Sequence, residues 1–169
     1  LKASANTEVH QRMDTYNRLG DCSFIHARYQ EAIGYYNRVI NNHDKDADYA
    51  TYQKALSYGA LGNVSEKLNN LNYIFERYTG STYSSKAQLE IAKTYLACDN
   101  NDMALLYYKN FITDYPKSAY IKEALLDMGI IYYNESRYDE ALATFDRLLT
   151  HYSGTRESRS ALSTVKDIY

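Results

Sequence analysis

The chain has one proline, no tryptophan, two cysteines and seven glycines in 169 residues, and each scarcity removes a class of structure. With so few breakers, a fold of many short strands joined by turns is disfavoured and helices are favoured. Cys22 and Cys98 stand far apart with no CxxC spacing, which excludes a disulfide framework and a zinc motif. No apolar run approaches the about 18 residues that cross a bilayer as a helix. Neither sign of charge dominates: 19 Lys and Arg face 21 Asp and Glu, for a net −2. A nucleic-acid binder would need a basic excess to meet phosphates. The chain starts at Leu1 rather than Met and is expected to be a piece of a longer protein.

What is plentiful is tyrosine, with 20 copies. A tyrosine offers a large ring to bury and one polar tip, which suits half-buried helix seams or an adhesive groove. The tyrosines also keep an interval. Tyr78, Tyr115 and Tyr152 are 37 residues apart, and Ser81, Ser118 and Thr155 follow each by three. The same shift aligns Ala87 with Ala124 and Ala161, Tyr95 with Tyr132, Ala104 with Ala141, and Tyr108 with Phe145. Self-similarity at a fixed period of this length marks stacked supersecondary units.

Within each unit the apolar spacing is helical. Leu125, Met128, Gly129 and Tyr132 share one face, as do Ala141, Leu142, Phe145, Leu148 and Leu149. Short polar joints such as 134–137 leave room for a turn only. Each unit is therefore a pair of antiparallel helices of about 14 residues, too short to persist alone in water. Stacking buries their stripes. Gly20, Ala55, Ala92 and Gly129 are small where the two helices of a pair should cross, and Ala32, Ala104 and Ala141 are small opposite them. Lys67 breaks that series and should run its ammonium out to water along its alkyl stem. Each interval tyrosine is expected to end a second helix and fold into the seam with the next first helix. The Ser or Thr three residues on should cap that helix, and Pro116 should make a sharp stop. On this reading Tyr115→Ala costs about 3–5 kcal/mol, the range for a buried aromatic.

These residues resemble the tetratricopeptide repeat. The first unit supplies Tyr16, Leu19, Gly20, Ala32, Tyr36 and Val39, and the second, weaker one Ala55, Tyr58, Gly62 and Ile74. The third supplies Ala92, Tyr95, Ala104, Tyr108, Phe111 and Pro116, and the fourth Gly129, Tyr132, Ala141 and Phe145. The resemblance implies an all-α, right-handed superhelical solenoid. It has four helix pairs, at about 13–47, 48–84, 85–121 and 122–155, and a C-terminal capping helix at 156–169 with the stripe Ala161, Leu162, Val165, Ile168 and Tyr169. Residues 1–169 then form one domain. The step of 37 and the Tyr-Pro-x-Ser signature resemble repeats of bacterial envelope proteins, namely the lipoprotein of the outer-membrane β-barrel assembly machine and the periplasmic Tol–Pal coordinator. That likeness implies a scaffold in the periplasm or at the outer membrane; the cytoplasm is the alternative.

No catalytic constellation emerges, so the chain is not expected to be an enzyme or to hold a cofactor or metal. The sequence has no Gly-rich phosphate loop, GxSxG or HExxH. Cys22 and His26 stand one helical turn apart but lack further ligands. The acidic stretch 42–48, NHDKDAD, lacks the Gly and closing Glu of a calcium loop and reads as a solvated connection. Asp139 and Glu140 suit a helix N-terminus.

In tetratricopeptide proteins the first helices line a groove. Carried over position by position, the groove-facing residues are Asp14, Asn17, Asp21, Phe24 and Ile25 in the first unit, then Tyr49, Tyr52, Leu56, Gly59 and Ala60. The third unit gives Lys86, Leu89, Lys93, Leu96 and Ala97, and the fourth Glu123, Leu126, Ile130, Tyr133 and Asn134. The peptide-contacting candidates are Tyr49, Tyr52, Leu56, Lys86, Leu89, Lys93, Leu96, Leu126, Ile130 and Tyr133. An apolar groove of this kind implies a protein or peptide partner. The alternative is that superhelical packing or further repeats cover it. The resemblance thus implies a non-catalytic interaction scaffold. A self-associating segment of a longer solenoid and an accessory domain of a larger enzyme remain open.

Overall fold

Helix follows helix throughout the computed structural model, which describes residues 2–168, with the side chains of residues 7–168. Among them are nine helices and no strand. They are α1 (Lys2–Ile25), α2 (Tyr29–Asn41), α3 (Ala47–Ala60), α4 (Val64–Arg77), α5 (Ser84–Ala97), α6 (Asn101–Asp114), α7 (Ile121–Asn134), α8 (Tyr138–His151) and α9 (Arg156–Ile168). Tyr169, assigned above to the terminal stripe, lies outside the described residues. The helix order matches the pairs read from the repeat, with one difference at the start. α1 runs 24 residues and begins well before residue 13, because KASANTEVHQR holds no proline or glycine to stop it.

Contacts divide the chain into two units, Leu1–Ala87 and Gln88–Tyr169, with the division inside α5. In the first, α1 packs on α2, α2 on α3, and α3 on α4. Its core joins Met13, Ala32, Tyr36, Val39 and Ala50. In the second, α6 packs on α7, α7 on α8, and α9 on both α7 and α8. Its core includes Tyr108, Phe111, Leu125, Met128, Phe145 and Leu148. α7 is buried on most of its circumference, from Ile121 to Tyr132, because it has neighbours on both sides.

Of the small residues, Gly20 and Gly129 face rings rather than alanines. A Cβ added to Gly20 would lie 2.5 Å from Cε1 of Tyr36, and one on Gly129 would overlap Cε1 of Phe145. Tyr36 and Phe145 are both fully buried. The rings reach full burial because the facing backbone carries no side chain. In the pair α3–α4 the glycine contact lies elsewhere along the seam: the alkyl stem of Lys67 crosses Gly59, with its Cδ 2.8 Å from where a Cβ on Gly59 would be.

The joint within each pair repeats in backbone chemistry. Ala27, Gly62, Asp99 and Ser136 all adopt a left-handed φ, between 56° and 75°. Their N–H groups donate to the carbonyls of Phe24, Gly59, Leu96 and Tyr133. The next residues, Arg28, Asn63, Asn100 and Arg137, donate to Ser23, Tyr58, Tyr95 and Tyr132. This double bond pattern is the Schellman motif, which satisfies the last carbonyls of the first helix. Asn63 and Asn100 then cap the second helix, accepting from the N–H groups of Glu66 at 3.1 Å and Met103 at 3.2 Å.

The joints between pairs depart from expectation in two respects. Thr155 is a true cap, accepting from Ser158 N–H at 3.2 Å. Ser81 and Ser118 instead accept from Tyr83 and Tyr120, two residues on, ahead of helices that start at Ser84 and Ile121. Two extra turn residues separate them from the helix, so they brace the turn. The interval tyrosines do end their helices, but Tyr78, Tyr115 and Tyr152 are half-buried rather than enclosed. The Tyr78 hydroxyl accepts from Thr51 Oγ1 on α3 at 3.5 Å. Tyr115 rests on Phe111, with ring centroids 5.8 Å apart. In the last helix Ala161 is buried and Val165 and Ile168 are half-buried, but Leu162 is 44% exposed.

Two stability outcomes are expected in urea unfolding. Tyr115→Ala should cost about 1–2 kcal/mol, below the range for a fully enclosed ring, because only part of its burial is at stake. Ala27→Gly should raise stability by about 0.5–1 kcal/mol, since relief of the left-handed strain at Ala27 outweighs the added freedom of the unfolded chain. A loss of stability in that variant would count against the turn geometry.

Candidate functional site

Three residues of α1, Asp14, Asn17 and Asp21, fall on one face by their spacing. In the first unit that face borders an open cleft of about 530 Å³. The start of α3 contributes Asp46, Asp48 and Tyr49, and the joint before α5 contributes Thr82 and Tyr83. Asp21 organises the inner end. One of its oxygens accepts from the hydroxyls of Tyr36 at 2.8 Å and Tyr49 at 2.7 Å. Burial, and then the bond to the Asp21 carboxylate, push both phenols well above the ordinary tyrosine range. Gln53 Nε2 donates to the Tyr49 oxygen at 3.1 Å and fixes its direction. Asp48 Oδ2 accepts from Ser81 Oγ at 2.6 Å, which ties the joint before α5 to α3.

Aromatic rings form the other wall. Tyr83 lies 5.6 Å from Tyr49 and 5.5 Å from Tyr52, centroid to centroid. The ammonium of Lys86 sits 5.2 Å from the Tyr83 ring. So the sequence-derived residues Tyr49, Tyr52 and Lys86 do converge, around Tyr83. Leu56, also on α3, is half-buried. Sequence reasoning missed Tyr83, Asp46 and Asp48. Tyr83 is in a joint, and groove offsets counted along helices pass over joints.

In the second unit the candidates are Leu89, Lys93, Leu96, Leu126, Ile130 and Tyr133. Leu89 is only 5% exposed and belongs to the core cluster, so it offers packing rather than open surface. Leu96, Leu126, Ile130 and Tyr133 are half-buried against that cluster and keep an accessible side. Lys93 Nζ meets Glu123 Oε1 at 2.6 Å, which joins α5 to α7. Nearby, the Tyr108 hydroxyl donates to Asp127 Oδ2 at 2.7 Å. Burial raises the Asp127 carboxyl above its usual range, against the opposing pull of that hydrogen bond.

The stretch 42–48 is less solvated than expected. His10 Nδ1 donates to both oxygens of Asp44, at 3.2 and 3.1 Å, and the Asp44 side chain is 8% exposed. His10, Asp44 and Asp46 gather ligand atoms within 4.8 Å. The imidazole N–H to Asp44 makes this a hydrogen-bonded clasp between α1 and the joint before α3. Cys22 Sγ and His26 Nδ1 are 3.8 Å apart, and no third ligand joins them among the described residues. No described helix is long and apolar enough to cross a membrane.

The raised Asp127 carboxyl gives a pH signature. Its folded value lies above the unfolded value of about 3.9, so the folded state binds the extra proton. Its stabilising contribution is present below that value and is lost as pH rises through the folded one. Asp127→Asn, which keeps an acceptor for Tyr108, should therefore gain stability relative to the wild type between pH 4 and pH 7, as read by urea midpoints. A constant difference across that range would contradict the desolvated carboxylate.

The tetratricopeptide repeat family model matches residues 86–118 and 123–155. No curated protein matches the chain. Among solved structures, PilW, a widely conserved type IV pilus biogenesis factor, is similar at 15% identity with a TM-score of 0.74, over 89% of this chain and 67% of that one. A tetratricopeptide repeat protein from Parabacteroides merdae ATCC 43184 is similar at 14% identity and TM-score 0.77, over 94% of this chain; the chain spans 60% of its length. BtubC from P. vanneervenii is similar at 13% identity and TM-score 0.75, over 99% of this chain and 80% of that one. At these identities the likeness is one of fold. Residues 86–118 and 123–155 match the tetratricopeptide repeat, and the fold class is the all-α superhelical repeat fold that such helix pairs build.

Proposed function

We propose that the chain is a non-catalytic interaction scaffold that docks a polypeptide segment on the groove face of its first helices. The observation that carries this is the half-buried apolar row Leu96, Leu126, Ile130 and Tyr133, backed by a rigid core and open on its other side. Such a row fits an extended or helical segment anchored by apolar side chains. Repeats of this family commonly serve protein–protein contact, which supports the same reading. A place in a bacterial cell-envelope assembly, periplasmic or at the outer membrane, is part of the proposal. Its support is the 37-residue interval with Tyr-Pro-x-Ser at Tyr115–Ser118, and the fold likeness to a type IV pilus biogenesis factor. Residues 1–169 are proposed to act as one domain.

A second reading is self-association through the terminal helix, and the exposure of Leu162 on α9 favours it. Light scattering separates the two, since a strict monomer removes the second.

The test of the first uses the chain as bait in affinity capture from envelope extract. Leu126→Asp combined with Ile130→Asp should abolish a capture made by the wild type, while circular dichroism shows full helicity. Retained capture by the folded double variant overturns the groove assignment. Leu89 is avoided as a target because a buried charge there would unfold the unit.

A further inference from the structure

Within the cleft of the first unit the carboxylates outnumber the cations: Asp14, Asp21, Asp46 and Asp48 face Arg18 and Lys45. Arg18 is already committed to Asp14, Nε to Oδ2 at 2.9 Å. A second, independent feature is Asn17. It is set in the wall of the cleft and is 6% exposed, yet its Oδ1 has no hydrogen-bond partner among the described residues. A buried amide oxygen without a donor is costly and is normally satisfied. Asn17 lies one turn before Asp21 and one after Asp14, on the face of α1 that borders the cleft.

We propose that this cleft receives the ammonium or guanidinium group of a lysine or arginine side chain on the docked polypeptide. The chemistry required is a cation that is also a donor of several N–H bonds. The carboxylate of Asp21 is held rigid by two phenols and supplies charge. The amide of Asn17 supplies the neutral acceptor. The Tyr49 and Tyr83 rings supply a face for the cation and for the apolar stem that carries it. Lys86 already shows that the Tyr83 ring accepts an ammonium. An anion would meet the excess of carboxylates, and a neutral amide would leave their charge unanswered. The inference rests on the scaffold reading and adds to it the chemical class of one side chain of the partner.

The test is a nuclear magnetic resonance titration of the full 169-residue chain. The probes are short Gly/Ser peptides with one central lysine, arginine, norleucine or citrulline, and free spermidine as a separate arm. The lysine and arginine peptides should shift the Asn17 side-chain amide and the Tyr49 and Tyr83 signals, and added salt should weaken them. The norleucine and citrulline peptides should not. Asp21→Asn should weaken binding at least tenfold. Because Asp21 also anchors two tyrosines, Asp14→Asn, on an exposed pair, serves as the second variant and should weaken binding several-fold. Asn17→Leu should raise Tm while removing the cation preference. Equal shifts from charged and neutral peptides, or shifts mapping outside the cleft, overturn the proposal. Spermidine binding in preference to the lysine peptide also overturns it, since the occupant is then a free polyamine. Capture of a partner on the Leu126–Ile130 face without any cation selectivity sinks this inference and leaves the scaffold reading standing. A cation-selective cleft in a chain that captures no polypeptide does the reverse.

Discussion

Everything in this fold depends on how closely two helices of a pair can approach. In α1–α2 and α7–α8 the distance is set where a residue without a side chain meets a ring. Gly20 against Tyr36 and Gly129 against Phe145 are two copies of one contact, separated by most of the chain. A fully buried aromatic contributes on the order of 2–3 kcal/mol by area alone, which is a sizeable share of what a small helical unit has to spare. The ring can be enclosed only if the facing backbone is bare. α2 and α8, of 13 and 14 residues, would melt alone and hold because this contact locks each to its partner.

Polar groups are fitted into the same seams rather than kept out of them. Tyr36 buries its ring beneath Gly20 and sends its hydroxyl to Asp21, the next residue along α1. Tyr108 does likewise with Asp127. In each case the ring provides packing and the hydroxyl pins a carboxylate on a first helix. This explains the heavy use of tyrosine where phenylalanine would pack as well: the tip fixes an acid in a chosen direction. The cleft of the first unit is a by-product of that device, since Asp21 is held by Tyr36 from below and Tyr49 from the side.

The helices and their pairing were legible in the sequence because they rest on periodic side chains. The small-residue series, the apolar stripes and the 37-residue interval each reported on packing that recurs. The joints were less legible. Ser81, Ser118 and Thr155 look alike in the sequence, yet only Thr155 caps a helix, because the number of turn residues before the helix differs by two. The interval tyrosines stand at helix ends as the pattern says, but pattern alone does not tell half-burial from full burial. The candidate site was legible in half. Tyr49, Tyr52 and Lys86 follow from helix offsets, whereas Tyr83 and the clasp of His10 on Asp44 arise from contacts across more than 30 residues. Leu89 shows the opposite error: an offset that points to the groove carries a side chain that the core takes up.

The turn residue of each joint within a pair is held by main-chain hydrogen bonds, and Ala27, Gly62, Asp99 and Ser136 share one backbone shape without sharing a side chain. Identity at these tips is therefore decoupled from architecture. Such a tip can be rewritten for charge, solubility or chemical labelling while the helix pair it joins keeps its register.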